Sequence, residues 1–172
     1  LSNPALIFDK VNELMQETFS KSDYEVRDGM DASLCLLDYD TMQIHIACAN
    51  NPIWIVSQPK NNSNITNEPW QLAQINADKK PIGRFNDESA PFTLKTISVQ
   101  KGDIVYLFSD GYADQFGGPK GKKFKYKQLQ DLLISLANLP LSEQNNFLNK
   151  TITNWQGNLE QVDDILIIGI KI

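Results

Sequence analysis

The sequence predicts an α+β fold, a largely antiparallel β-sheet or meander with packed helices. Three observations carry that prediction. Between Ala32 and Val56, short β-favouring runs alternate with turn residues. Two stretches with apolar residues at helical spacing follow Gly118 and Ser142, and a long β-branched run closes the chain from Val162 to Ile172. Several hairpin-like strands, then two helices and a closing strand, give helices packed over largely antiparallel sheet.

Bulk composition narrows the function classes. At 172 residues, 41% apolar and 22% charged, the chain suits one domain with a substantial core, and it shows no internal repeat or domain boundary. A net charge of −5 and a pI near 4.8 exclude a general phosphate-backbone binder, so no nucleic-acid partner is expected. Lys120, Lys122, Lys123, Lys125 and Lys127 form a local basic cluster, which reads as a solvated loop. No run reaches transmembrane length and no signal-peptide pattern opens the chain, so no membrane contact by this segment and a cytoplasmic location are expected. Leu1 stands where a complete chain would start with Met, which predicts a fragment or a processed product. Cys35 and Cys48 fit a reducing compartment. A turn near Tyr39 and Asp40 would set Cys35 opposite His45, with Cys48 ~10 Å further along, too far for a disulfide. Both are expected as buried thiols.

In chain order, Asn3 and Pro4 make an N-cap and a first helical position. Ile7, Val11, Leu14, Met15 and Phe19 then predict one apolar helix face. Ala32–Leu37 and Met42–Ala49 read as strands around a turn, and Ile53–Val56 as a third strand of the same meander. His45, the single histidine, sits on an alternating strand and reads as a surface or cross-strand residue. The polar run 58–69 reads as an exposed loop, and its two Asn-x-Ser/Thr matches as chance. Trp70–Ile75 and Phe92–Val99 are further strands, and Lys101-Gly102-Asp103 is a tight turn. Leu129, Leu132, Leu133 and Leu136 predict the buried face of a helix ended by Pro140. Ser142 is expected to cap the next helix, with Phe147, Leu148, Ile152 and Trp155 as its stripe and Gly157 as its stop. Val162–Ile172 is expected as one central strand.

Chemistry concentrates at the ends of two strands. Ile104–Phe108 reads as a strand buried on both faces, and it runs straight into Ser109, Asp110 and Gly111. A carboxylate there calls for a partner, and a cation is one; a plain Asp-Gly turn is the rival reading. Asp163 and Asp164 open the last strand. If the two strands are antiparallel neighbours, ~4.8 Å apart, these carboxylates meet at one end of the sheet and suit Mg²⁺ or Mn²⁺. That pairing favours a metal site over the turn.

The same residues carry a family resemblance. Phe108-Ser109-Asp110-Gly111-Tyr112, then Asp114-Gln115-Phe116-Gly117-Gly118, and the closing Gln161-Val162-Asp163-Asp164-Ile165-Leu166 resemble stage II sporulation E-type phosphatases, within the wider type 2C protein phosphatase group. Asp28-Gly29-Met30-Asp31, Ala49-Asn50-Asn51-Pro52 and Pro81-Ile82-Gly83 match the intervening pattern. The resemblance implies a β-sandwich flanked by helices and a two-metal Mg²⁺ or Mn²⁺ hydrolase, whose metal-bound water attacks phosphoserine or phosphothreonine. It implies Asp110 and Asp163 as metal ligands, Asp164 as a further one, and Gly111 as the point of close backbone approach. No catalytic residue beyond the ligands is implied, and Ser109 lacks a general base. The implied partner is a phosphorylated regulatory protein of the anti-sigma-antagonist kind. Neither the family's upstream Gly-Asp pair nor its Asp-x-x-Gly-His-Gly motif is present before the first helix, and His45, between Ile44 and Ile46, cannot supply the latter. The whole chain, 1–172, is therefore expected to be the C-terminal portion of such a domain, weak in metal binding and in activity by itself. The alternative is a non-catalytic phosphatase-like module that binds a partner signalling protein. Absent upstream strands would also expose a sheet edge and favour a homodimer or strand exchange.

Overall fold

The computed structural model describes residues 3–21, 28–58, 69–83 and 90–172. Most of the 58–69 loop and both Asn-x-Ser/Thr matches lie outside the described residues. The chain divides into two units, Leu1–Ile53 with Ile75–Gln100, and Trp54–Gln74 with Lys101–Ile172.

In the first unit, Asn3 caps helix α1 (Pro4–Phe19) as expected: its side-chain oxygen accepts from the N–H groups of Ala5 at 3.0 Å and Leu6 at 3.3 Å. The buried face differs from the expected one. Ala5 and Phe8, with Val11 and Met15 beside them, pack against Ala47, Ala49, Ile82 and Phe92, while Leu14 is exposed. Asp9 and Asn12 explain this rotation. They accept from the N–H groups of Phe92 at 2.8 Å and Gly83 at 2.7 Å, so the inward side of the helix carries polar anchors as well as apolar ones.

Strands β1 (Ala32–Asp38) and β2 (Gln43–Ala49) form the predicted hairpin. Asp38 closes it by accepting from the N–H groups of Asp40 and Thr41. The longer turn shifts the register by one: Cys35 faces Ile46, and Cys48 faces Ser33. The two thiols are therefore diagonal neighbours, nearer than expected, and both are free. Cys48 is buried and Cys35 only half-buried. Burial pushes the Cys35 thiol up to about 11 and raises that of Cys48 as well. At pH 8 the upward shift at Cys35 cuts its thiolate fraction about 100-fold. Iodoacetamide should label the native chain slowly and the urea-unfolded chain fast; equal rates would contradict the burial.

Strand β5 (Lys95–Ser98) completes the first sheet in the order β1-β2-β5. It is shorter than the expected Phe92–Val99, because the N–H groups of Phe92 and Thr93 are taken by the carboxylates of Asp9 and Asp78. His45 pairs across to Thr96, with Nδ1 2.9 Å from its hydroxyl, the cross-strand role expected of it.

The second unit corrects the three-strand meander. Strand β3 (Ile53–Ser57) does not extend the hairpin; it joins a four-stranded sheet ordered β4-β3-β6-β9, with β4 at Gln71–Ile75, β6 at Ile104–Phe108 and β9 at Ile167–Lys171. β6 is central, and the register-defined pairings β3–β6 and β6–β9 are antiparallel. Trp54, Ile104, Tyr106 and Phe108 share one core with Leu129, Leu133 and Leu136 of α3 (Tyr126–Leu136) and Leu148 and Ile152 of α4 (Leu141–Gln156). On α4 the buried stripe runs through Gln144, Leu148 and Ile152, one turn apart, which leaves Phe147 exposed. Gln144 is buried because it accepts from the Tyr106 hydroxyl and donates to the Leu139 carbonyl. Ser142 is not the cap. Pro140 occupies that position, its carbonyl accepting from Glu143 and Gln144 N–H, and Gly157 ends the helix at φ +58.

The closing strand is also corrected. Only Ile167–Lys171 is strand, and among the described residues it lies at the sheet edge rather than the centre. Ile167 pairs with Phe108, the last residue of β6, so 162–166 run past the end of that strand and join no ladder among the described residues. No helix among the described residues is long and apolar enough to cross a membrane.

Candidate metal centre

The antiparallel pairing of β6 with β9 brings the end of one strand to the start of the other. Phe108 faces Ile167, so Ser109-Asp110-Gly111 and the segment 163–166 leave the sheet at the same end. Ser109 joins the two segments. Its hydroxyl donates to the Asp164 carbonyl at 2.7 Å and accepts from the Leu166 N–H at 2.9 Å, while its own N–H donates to the Leu166 carbonyl at 3.0 Å.

Asp110 takes the turn that opens a short helix. It is the residue before a one-turn helix, α2 (Gly111–Asp114), and its carbonyl accepts from Asp114 N–H. Gly111 is the closest point of approach. A Cβ there would lie 2.4 Å from the Asp164 carbonyl oxygen, 2.9 Å from its carbon and 3.2 Å from the Asp163 carbonyl oxygen. Only glycine lets the two backbones meet this closely. Asp110, Asp163 and Asp164 are all exposed, and the Asp163 carboxylate accepts from the Asp164 N–H at 2.7 Å.

Two positioning residues went unnoticed at the sequence level. Gln115 is fully buried directly after α2, and its Nε2 donates to the Glu160 carbonyl at 2.9 Å, which anchors the loop leading to Asp163. Its Oε1 is buried with no hydrogen-bond partner among the described residues. The Ser109 tether was equally invisible, because a Ser before Asp-Gly also fits an ordinary turn. Downstream of Gln115, a small hairpin of β7 (Phe116–Gly117) and β8 (Lys122–Lys123) returns to α2, where Lys123 pairs with Asp114 at 2.8 Å.

The donors are carboxylates, which suit hard cations, and the tight seat of Gly111 on the Asp163–Asp164 backbone brings the acid-bearing segments together. The set fits part of a coordination shell. Among the described residues no three His, Cys, Asp or Glu side chains gather in a metal-holding group.

Several solved phosphatase domains share this fold. The SiaA-PP2C domain of Pseudomonas aeruginosa is 24% identical, with a TM-score of 0.82 over 99% of this chain and 61% of that one. The phosphatase domain of SpoIIE from Bacillus subtilis, in its Mn-presoaked form, is 15% identical, with a TM-score of 0.58 over 100% of this chain and 74% of that one. A bacterial serine phosphatase is 15% identical, with a TM-score of 0.60 over 94% of this chain and 65% of that one. This chain thus spans 61% of the length of the SiaA domain. Curated proteins gave no significant match. The α+β architecture is accordingly that of a PP2C-type phosphatase domain. A stage II sporulation protein E profile matches residues 1–172, and the chain belongs to that family.

Proposed function

We propose that this chain forms part of a Mg²⁺- or Mn²⁺-dependent protein serine/threonine phosphatase acting in the cytoplasm. The observation that carries this reading is the seat of Gly111 on the Asp163–Asp164 backbone, which unites two acidic segments from distant parts of the sequence. Asp110 and Asp163 would hold the cation, with Asp164 as a further carboxylate. When bound, the metal supplies a water of lowered pKa and offsets charge on phosphoryl oxygens. Ser109 holds the two segments in register and takes no covalent part, since its hydroxyl is already engaged by the Asp164 carbonyl and the Leu166 N–H. The substrate is a phosphoserine or phosphothreonine on a regulatory protein of the anti-sigma-antagonist kind, a reading that rests on the family.

These 172 residues carry no Asp-x-x-Gly-His-Gly motif. The polypeptide by itself is therefore expected to bind metal weakly and to turn over little substrate. The lack of a three-acid group among the described residues favours a second reading, a phosphatase-like module that binds its phosphoprotein without hydrolysing it. Robust Mn²⁺-dependent turnover by the isolated chain would exclude that second reading and the expected weakness together.

Titrating Mn²⁺ while following free ion by electron paramagnetic resonance tests the ligands. Asp110→Asn and Asp163→Asn should each weaken binding by about tenfold or more, because affinity at such sites scales with ligand charge. Unchanged affinity in both variants would sink the metal site.

A further inference from the structure

Lys120, Lys122, Lys123, Lys125 and Lys127 crowd into residues 120–127 of a chain whose net charge is −5. The sequence alone reads them as a solvated loop, but the structure holds that loop firmly. A Cβ on Gly117 would lie 1.9 Å from the Trp155 carbonyl oxygen, and one on Gly118 would lie 2.7 Å from the Trp155 ring. Gly118 N–H donates to the Trp155 carbonyl at 2.7 Å, and the Trp155 indole N–H donates to the Gln115 carbonyl at 3.1 Å. The hairpin is thereby fastened to α4 through Trp155.

A cavity of about 280 Å³ opens beside this junction, lined by Lys120, Lys122, Lys123 and Lys125 together with Trp155 and Gln128. Lys123 is engaged with Asp114, and Lys127, outside the cavity, with Asp131. Lys120, Lys122 and Lys125 have no carboxylate partner among the described residues. Lys125 is further held at φ +75, in the left-handed region, by its N–H bond to the Ala113 carbonyl at 2.7 Å. Non-glycine residues in that region cost free energy and gather at binding sites. Lysine side chains gathered around one concavity raise the local positive potential and favour an anion there.

We propose that this lysine-lined cavity docks an acidic segment of a partner protein, whose carboxylates meet the free ammonium groups beside the Trp155 ring. Charge complementarity favours this occupant, because Lys120, Lys122 and Lys125 set three positive charges beside the cavity with no carboxylate partner among the described residues. Nucleic acid is the less favoured occupant, since its extended phosphate backbone would also meet the acidic remainder of the chain, whereas a short acidic segment meets the patch alone. None of Asp110, Asp163 and Asp164 lines the cavity, so the inference stands apart from the phosphatase reading.

The test is fluorescence anisotropy with a short labelled poly-Glu peptide, without divalent cation, against a poly-Gln peptide of equal length. A triple variant, Lys120→Gln, Lys122→Gln and Lys125→Gly, removes the free cations and leaves the backbone at residue 125 at ease. A second triple, Lys21→Gln, Lys101→Gln and Lys150→Gln, makes the same change in net charge elsewhere. The cavity triple should weaken poly-Glu binding by about tenfold or more, and the control triple by about twofold at most. Equal loss in both triples, or wild-type binding of poly-Gln as tight as poly-Glu, would overturn the proposal. Tighter binding of a single-stranded oligonucleotide that only the cavity triple abolishes would replace it with a nucleic-acid site.

Discussion

Replacing Gly111 with Ala is expected to lower stability by about 2–3 kcal/mol, the upper part of the range for overpacking. It is also expected to cut Mn²⁺ affinity by about 100-fold, as a shift of about 1 Å in a functional group can do to a rate. The added methyl would meet the Asp164 carbonyl oxygen at 2.4 Å and its carbon at 2.9 Å. Both are backbone atoms, so no side chain can rotate away. Either the end of β6 or the 163–164 segment must move, and the acids on them part. Ser109→Ala is the informative companion, because it removes the hydroxyl tether without adding a clash. Losing hydrogen bonds alone should cost about 1–2 kcal/mol and leave more of the metal affinity intact. Urea unfolding and Mn²⁺ titration on the same samples separate the two effects. A Gly111→Ala chain that unfolds at the wild-type midpoint would mean that the two segments do not meet as described.

Trp54→Ala is expected to destabilise the second unit by about 3–5 kcal/mol, the cost of truncating a buried tryptophan. Trp54 is fully buried on β3, its ring 4.1 Å from that of Phe108 and 5.7 Å from that of Tyr126 between centroids. Its indole N–H donates to the Gln74 side chain at 3.0 Å, so truncation also removes one of that acceptor's bonds. Phe108 immediately precedes Ser109 and Asp110, so the void opens under the strand that aims the candidate ligand. Trp54→Phe keeps much of the volume and should fall well short of that loss. The measurement is urea unfolding followed by far-ultraviolet circular dichroism. A Trp54→Ala loss below about 1 kcal/mol would be too small for a buried core aromatic and would contradict its place there.

Much of the local structure was legible because it rests on neighbours in sequence. The cap at Asn3, the stop at Gly157, the Leu129, Leu133 and Leu136 face and the central strand Ile104–Phe108 each follow from residues within a turn or a run. The failures have long-range causes, apart from the hairpin register, which a local turn decided. The hairpin register slipped by one because Asp38 closed a longer turn. Phe92 and Thr93 left their strand because distant carboxylates took their N–H groups. Leu14 faced outward because Asp9 and Asn12 claimed the inner side of their helix.

At the candidate site, the sequence by itself nominated the acids: Asp110 after a buried strand, Asp163 and Asp164 before another, with a glycine beside the first. Tertiary structure alone decided how they meet. β9 begins opposite the last residue of β6, so Asp163 and Asp164 lie on a loop past the sheet and not within a long central strand. Ser109 and Gln115 hold that loop through bonds spanning dozens of residues, and Gly111 admits its backbone. The physical reason is that periodicity and propensity report what a residue does among its neighbours. Pairing order, tethers and close approach depend on segments the chain brings together only when it folds.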